Sequence, residues 1–511
     1  MSNLIVWGQS EERAAMNYDL IVVGSGPSGQ KAAIAAAKLD KKVALIERRA
    51  ERMGGVCLHT GTIPSKTMRE AILHLTGYRQ REVYTERYRQ KRKITMDDLR
   101  RKLDQVILNE MDVLHEYLDR NNIDLFTGEA SFVSPHEIEV CREGQCTKLK
   151  GDKILLAVGT RPSRPKHIPF DGRTIFDSDE LLKIQDIPRS MVVVGGGVIG
   201  MEYAIMFATL GTEVTVVDGR ERLLEFCDRE IIEMLQFHAR SLGMVFRLGE
   251  DVVAIDRLRH NRGAIQLESG KRLIAESILF TTGRVGDTDT LNLAAAGLEV
   301  DERGKLWCDE NFRTWVPHIY GVGDVIGFPA LASASMEQGR RAALAAFGKP
   351  HSGTKLLPYG LFTIPEISMI GKTEQQLTND RVPYEVGVCQ FRELPRGKIS
   401  GDETGLLKIL FHRETKAVLG VHIIGETATE IIHIGQAVMA LGGTIEYFRD
   451  TVFNHPTMAE AYKIAAFNGL NKLNLDSREI IEQPIEEQLL RTVQQLQSET
   501  AKAVEPALAT V

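Results

Sequence analysis

Tyr18-Asp-Leu-Ile-Val-Val-Gly-Ser-Gly-Pro-Ser-Gly29 is the stretch that decides the fold. A short β-branched apolar run delivers Gly24, Gly26 and Gly29, and the alanine-rich Gln30 to Leu39 follows, which predicts a strand, a tight turn and a helix. The first glycine permits the turn, the second lets the backbone approach a pyrophosphate, and the third allows close helix–strand packing. The helix N-terminus then faces the anion. A second apolar strand from Lys42 ends in Glu47, eighteen residues after Gly29, where an acid can accept hydrogen bonds from ribose hydroxyls. The same unit returns in Met191-Val-Val-Val-Gly-Gly-Gly-Val-Ile-Gly200, with Gly195, Gly197 and Gly200, an alanine-bearing helix, and a strand ending in Asp218. Two such units far apart exclude a short-period repeat protein and predict two dinucleotides held by two doubly wound domains. Two dinucleotides in one chain imply redox chemistry, because a tightly held flavin beside a nicotinamide permits relay.

The 511 residues suffice for about three or four domains at roughly 100 to 200 residues each. Lys plus Arg number 63 against 69 Asp plus Glu, and a net charge of -6 gives no global attraction to nucleic acid or anionic membrane. Small-molecule partners are expected. The apolar patch Leu4 to Trp7 has acidic neighbours, fitting neither a secretory nor a mitochondrial leader, and nowhere do eighteen apolar residues run together. A cytoplasmic protein is therefore expected, with its six cysteines reduced and no disulfide framework. Cys141 and Cys146 sit in an alternating segment around Glu143-Gly144 that reads as a β-hairpin, remote from any cofactor motif. The basic stretch from Arg79 to Lys93, interleaved with Tyr78, Tyr84 and Tyr88, reads as a solvated helix.

Between the two units lies Gly54-Gly-Val-Cys-Leu-His-Thr-Gly-Thr-Ile-Pro-Ser-Lys66. On this stretch the chain resembles the class I flavoprotein disulfide reductase family of lipoamide dehydrogenase and glutathione reductase. Leu155-Leu-Ala-Val-Gly-Thr-Arg-Pro162 and Phe280-Thr-Thr-Gly-Arg284 resemble that family's interdomain crossings. Ile319-Tyr-Gly-Val-Gly-Asp324 resembles its second flavin motif, and His455-Pro-Thr-Met-Ala-Glu460 the motif each subunit lends to its partner's active site. The resemblance runs from about Asn17 to Leu473. It implies an α/β chain with two Rossmann-like domains and a C-terminal α+β dimerisation domain. The expected divisions are an extension at 1-16, an FAD-binding domain at 17-165 continued at 286-354, an NAD(P)-binding domain at 166-285, an interface domain at 355-473, and a helical tail at 474-511. In that tail Ile485, Leu489, Val493 and Leu496 fall on one stripe, suited to docking on its own dimer or to a partner contact.

The family's redox pair is C-x-x-x-x-C, but here Cys57 is followed five positions later by Thr62. The missing cysteine is the one placed against the flavin, and a dithiol relay needs both sulfurs. The soluble pyridine nucleotide transhydrogenase branch is similar in this respect, and Gly371-Lys-Thr-Glu-Gln-Gln-Leu-Thr378 and Ile409-Leu-Phe-His-Arg-Glu-Thr-Lys416 also resemble it. That branch carries tyrosine where this chain keeps His455. The resemblance implies an FAD-dependent homodimer or higher oligomer passing hydride from NADPH to NAD in ping-pong fashion, with NAD and NADP using one site. Two rivals stand beside it: a disulfide reductase or diaphorase using Cys57 alone, and a non-enzymatic flavin-bearing regulatory subunit.

Lys66 and Glu202 match the family's ion pair beside the flavin, where a fixed positive charge favours the reduced, anionic form. His455 and Glu460 match an oriented-base dyad. Cys57 is either a leftover small core residue or a redox-sensitive thiol. Val198 stands where glutathione reductase relatives have a tyrosine lid. By the same resemblance Glu47, Arg48, Gly55, Lys66, Ala130, Gly159, Asp324 and Ala332 are expected around the flavin, and Gly283 around the nicotinamide nucleotide; no metal is expected. Asp218 should favour the free ribose hydroxyl of NAD, while Arg220 and Arg222 could accept the 2′-phosphate of NADP.

Overall fold

The computed structural model describes residues 16–80, 93–353 and 356–475. Residues 1–15 of the expected extension, residues 81–92 of the basic stretch with Tyr84 and Tyr88, and the stripe of the C-terminal tail lie outside them, while Met16 already belongs to the first strand and Tyr78 bonds His238 at 2.6 Å. Strands β1 (Met16–Val23) and β2 (Val43–Glu47) are parallel neighbours, with Leu20 opposite Val43. They carry apolar runs rather than an alternating pattern because the middle of a parallel sheet is covered on both faces. Beyond them come β3 (Asp124–Thr127), β4 (Glu129–Ser134), β5 (Glu137–Arg142) and β6 (Gln145–Leu156). The sheet order is β3-β2-β1-β6-β5-β4, and Ile319–Gly321 pairs with the far end of β6. The twelve-residue β6 thus joins a parallel half, bearing the glycine turn, to an antiparallel half made of hairpins.

Helix α1 (Pro27–Ala37) starts on a proline, whose missing N–H has no partner to lose at a first turn. Its buried Ala32, Ala33 and Ala36 pack with Ala342 and Ala343 of the helix Ala332–Ala346. Small residues are required there: a Cβ on Gly339 would lie 2.0 Å from the Ser28 carbonyl oxygen.

The second fold is a parallel sheet ordered Val245–Leu248, Glu213–Asp218, Ser190–Val194, Ser277–Phe280, Ile175–Asp177. Its helix Val198–Leu210 is apolar almost all round and correspondingly buried. The third unit is a five-stranded antiparallel sheet, from Tyr359–Leu361 at one edge to Tyr384–Gln390 at the other, with the helix Glu460–Leu475 packed against the latter.

One feature departs from the sequence reading, and a second was not read from the sequence at all. The Glu143-Gly144 hairpin forms, but Cys141 and Cys146 are joined in a disulfide, correcting the expectation of six reduced thiols. The physical reason is register: the two residues are directly opposite on adjacent strands, their Cα atoms 4.1 Å apart. Cys57, Cys227, Cys308 and Cys389 are free. Second, Lys408 is wholly buried, its Nζ 3.0 Å from Asp228 Oδ1 and 3.0 Å from Glu230 Oε2, and against Glu374. Asp228 caps the helix Arg229–Ser241, so this ionic cluster bolts the second fold to the third. Burial alone would lower the Lys408 ammonium's affinity for its proton, but the three carboxylates outweigh it and its pKa is raised.

Candidate functional site: two dinucleotide clefts

The two glycine turns are built alike. Gly24 and Gly195 sit at φ +104° and +103°, a backbone region suited to glycine, and a Cβ on either would press on the crossing strand at Ala157 or Thr281. Gly29 and Gly200 would drive a Cβ to within 1.9 and 2.0 Å of the Gly24 and Gly195 carbonyl oxygens. Gly26 and Gly197 differ from both: nothing lies within 4 Å of their Cβ positions, so each leaves open space at the start of a helix. Each turn is also tied to its acid. Glu47 Oε2 accepts the Ser25 amide at 3.2 Å, and Asp218 Oδ2 accepts the Gly196 amide at 2.6 Å.

The first cleft, about 490 Å³, is lined by Gly24, Gly26, Glu47, Arg48, Gly55, Ala130, Gly159, Asp324 and Ala332 among the expected residues. Arg48 pairs with Asp287 at 3.2 Å across the cleft's rim. Gly159 also has nothing within 4 Å of a Cβ position, so glycine leaves room at two points of the wall. Burial raises the Asp324 carboxyl, against the lowering influence of Arg284, the Thr160 hydroxyl and Lys305. The open glycines and the acid beside the turn fit an extended dinucleotide.

Cys57, on α2 (Gly55–His59), and Thr62, which opens α3 (Thr62–Thr76), face the same cleft. Burial pushes the Cys57 thiol up, outweighing the bond to Thr62 and the charge of Lys66. The thiol is therefore held protonated. Lys66 Nζ, also on α3, is 2.7 Å from Glu202 Oε2 and lies over the Phe362 ring, 4.8 Å from its centroid. The other Glu202 oxygen accepts the Phe362 amide at 2.8 Å, so the ammonium is fixed from three elements.

The second cleft, about 590 Å³, is lined by Gly195, Gly197, Asp218, Arg220 and Gly283. The turn from Gly219 to Glu221 brings Arg220 back onto Asp218, with Nε 2.9 Å from Oδ1 and Nη2 2.7 Å from Oδ2. Burial would raise the Asp218 carboxyl, but these bonds and the amides of Arg220 and Gly196 hold it below the usual range. Arg222 is not brought here: it lines a separate groove with Phe226 and Gln375, so the expectation for it is not supported. Gly29 and Gly200 serve the packing rather than the walls.

His455 Nδ1 and Glu460 Oε1 are 2.8 Å apart, and Glu460 also accepts the Thr457 amide at 3.0 Å. The pair lines neither cleft of its own chain, and the His455 ring is largely exposed. Ser25, Thr160 and Arg284 were missed by sequence reasoning. Ser25 fills the unassigned position of the glycine motif, and Arg284 N–H groups bond Thr160 at 2.8 and 2.7 Å where the two crossings meet.

Residues 18–339 match the pyridine nucleotide-disulphide oxidoreductase family. The chain belongs to that family. Residues 357–466 match the dimerisation domain of the pyridine nucleotide-disulphide oxidoreductases. A soluble pyridine nucleotide transhydrogenase of Mycobacterium tuberculosis is 54% identical over 460 residues, covering 89% of this chain and 98% of the relative. The protein of that name from Colwellia psychrerythraea is 45% identical, covering 90% and 99%. Among solved members, the HOCl-induced flavoprotein disulfide reductase RclA from Escherichia coli superposes with a TM-score of 0.78 at 28% identity, over 87% of this chain and 98% of that one. LpdA from Mycobacterium tuberculosis shares the fold, with a TM-score of 0.81 at 24% identity over 89% and 99%.

Proposed function

We propose that the chain is an FAD-dependent oxidoreductase that moves hydride from NADPH to NAD, as a soluble pyridine nucleotide transhydrogenase. The first cleft would hold FAD, which would supply hydride acceptance from one nicotinamide and donation to another. The observation that carries the reading is Thr62 in the flavin-side position, with a half-buried Cys57 beside it whose thiol is pushed up by its surroundings. A disulfide relay requires a thiolate pair at that point, and this chain has one thiol. Cys57 alone is a poor nucleophile in that state, which argues against the single-thiol reductase. The Lys66–Glu202 pair argues against an inert flavin subunit, because fixing a cation from three elements beside the cleft serves charge development and not mere retention.

The chain's own residues do the positioning. Gly26 and Gly159 leave room for the flavin nucleotide, Glu47 and Asp324 take its hydroxyl groups, and Lys66 holds positive charge at the reacting end. In the second cleft Gly197 admits the pyrophosphate of either coenzyme in turn, and Asp218 with Arg220 reads the adenosine ribose. Val198 leaves that approach without a tyrosine ring. One nicotinamide site used twice requires ping-pong kinetics. The dimerisation domain and the outward-facing His455–Glu460 pair suit a homodimer in which each subunit lends that pair to its partner. Among the described residues no helix is long and apolar enough to cross a membrane, and a cytoplasmic enzyme balancing the two nicotinamide pools fits that.

The test is anaerobic stopped-flow of the purified yellow protein. NADPH should bleach the flavin absorbance, and NAD should restore it with no thiol or disulfide present. Reoxidation by a disulfide but not by NAD would overturn the reading.

A further inference from the structure

Cys141, one residue before the end of β5, and Cys146, the second residue of β6, face each other one pair in from a two-residue turn whose central residues, Glu143 and Gly144, both have positive φ (+52° and +81°). Positive φ at both positions is the turn that matches strand twist in tight hairpins. The hairpin is thus held by its own backbone whether or not the sulfurs are bonded. Directly opposed residues with Cα atoms this close form the non-hydrogen-bonded kind of antiparallel pair, whose side chains share one face. The sulfurs need no search to find one another. Cys146 is exposed and Cys141 half-buried, so solvent thiols reach the bond from the Cys146 side.

This hairpin is also the back of the first cleft's wall. Cys141 is opposite Glu129 on β4, and Val140 is opposite Ala130, which lines the cleft. Gly128, another lining residue, packs so closely beneath the hairpin that a Cβ on it would lie 2.7 Å from the Cys141 carbonyl oxygen. The Gly128 amide in turn donates to the Glu47 carbonyl at 2.9 Å. A continuous line of backbone contact therefore runs from the sulfur pair to the acid beside the glycine turn.

We propose that Cys141 and Cys146 are a reversible thiol–disulfide site, reduced by dithiols, that braces the flavin cleft when oxidised and loosens it when reduced. In the reduction one thiolate of the dithiol attacks Cys146 Sγ, the bond to Cys141 breaks, and Cys141 takes a proton. Glu139 Oε2, 3.6 Å from Cys141 Sγ on the same strand face, accepts the hydrogen bond of that new thiol. The dithiol's second thiolate then closes its own disulfide and releases Cys146, which is protonated. Two electrons and two protons pass from the dithiol to the pair. The four remaining cysteines are single thiols without a partner sulfur; burial pushes Cys227, Cys308 and Cys389 up to about 12 and raises Cys57 as well.

The experiment uses the full-length holoenzyme equilibrated with graded ratios of reduced to oxidised dithiothreitol, acid-quenched, alkylated and read by peptide mass spectrometry. Cys141 and Cys146 should become alkylated together across one two-electron transition. In parallel, flavin release after dilution is followed by the fluorescence of free FAD. Reduced protein should release FAD about threefold faster or more, as expected when a locally braced element is freed to open. The double variant Cys141→Ser, Cys146→Ser should release it at the reduced rate and ignore dithiothreitol; should that variant not fold, the wild type in its two states decides the matter alone. A pair that is never joined in air-equilibrated protein, or equal FAD release in both states, overturns the proposal.

Discussion

Arg220→Ala is the substitution that isolates how the second cleft tells its coenzymes apart. The Asp218 carboxylate receives four N–H groups: the Arg220 amide and Nε on Oδ1, and the Gly196 amide and Arg220 Nη2 on Oδ2. A carboxylate offers about four lone-pair sites, so it has none left for a ribose hydroxyl until the guanidinium moves. If Arg220 swings to a 2′-phosphate, its charge-assisted contact is worth about 1.5 to 3 kcal/mol. The pair it leaves is half-exposed and worth about 0 to 1 kcal/mol. The variant should therefore lose about 0.5 to 3 kcal/mol toward NADPH and raise its KM by about two- to 150-fold. The KM for NADH should hold or fall, because Asp218 regains two acceptor sites. Values of kcat should barely change where the 2′-group is held equally in ground and transition states. Asp218→Ala is the less clean probe, since it also frees the Gly196 amide and loosens the turn used by both coenzymes. Steady-state kinetics with each coenzyme at saturating acceptor measure the effect, and equal changes for NADH and NADPH would refute the reasoning.

Anaerobic titration should take up about two electrons per FAD, since Thr62 cannot complete a redox disulfide; a four-electron endpoint with a long-wavelength thiolate band would contradict this. The titration must be run with Cys141–Cys146 quantified, so that its electrons are not assigned to the flavin site. Cys57→Ser should retain most transhydrogenase activity, and a loss beyond about a hundredfold, roughly 2.7 kcal/mol of barrier, would restore the single-thiol mechanism. Lys408→Met leaves Asp228 charged and buried without its partner, and should cost about 3 to 5 kcal/mol of stability, read from urea midpoints. Burial would raise Asp228, but His422 and Lys408 hold its pKa below the ordinary 3.8; its contribution is therefore present above that value and lost as pH falls through the lower folded one. Wild type should accordingly show an acid-destabilisation step below about pH 4 that is weaker in the variant, which keeps His422.

The two glycine turns were legible because their constraints are local: a positive φ, a close carbonyl and an adjacent acid must all fall within one strand–turn–helix segment. The same holds for the Glu143-Gly144 hairpin, whose turn residues state their own geometry. The Cys141–Cys146 bond was not legible, because six cysteines spread over 511 residues argue for thiols while register, a pairing property, decides which side chains meet. Lys408 lay hidden for a similar reason. A lysine inside Leu406–His412 gives no sign that Asp228 and Glu230, from a different fold, will surround it. Arg222 was misplaced because two arginines two positions apart beyond a strand look equivalent, whereas the turn folds one onto Asp218 and points the other into a different groove.

The two acids that look interchangeable in sequence end in different states, and that difference suits two different tenants. Glu47 is held by the Ser25 amide and hydroxyl and by the Arg49 amide, and among the described residues no basic side chain bonds to it. It keeps acceptor capacity of fixed kind, as a site for one resident nucleotide requires. Asp218 is closed by a guanidinium that is itself half-exposed and free to leave. A site that must bind one coenzyme, release it and then accept another cannot commit its ribose reader to either. Placing the acid and its competitor on one another gives both coenzymes a similar cost of entry: NAD must displace Arg220 from the carboxylate, and NADP must draw it away. In the proposed function, that shared cost of entry keeps either coenzyme from being held too tightly to leave before the second arrives.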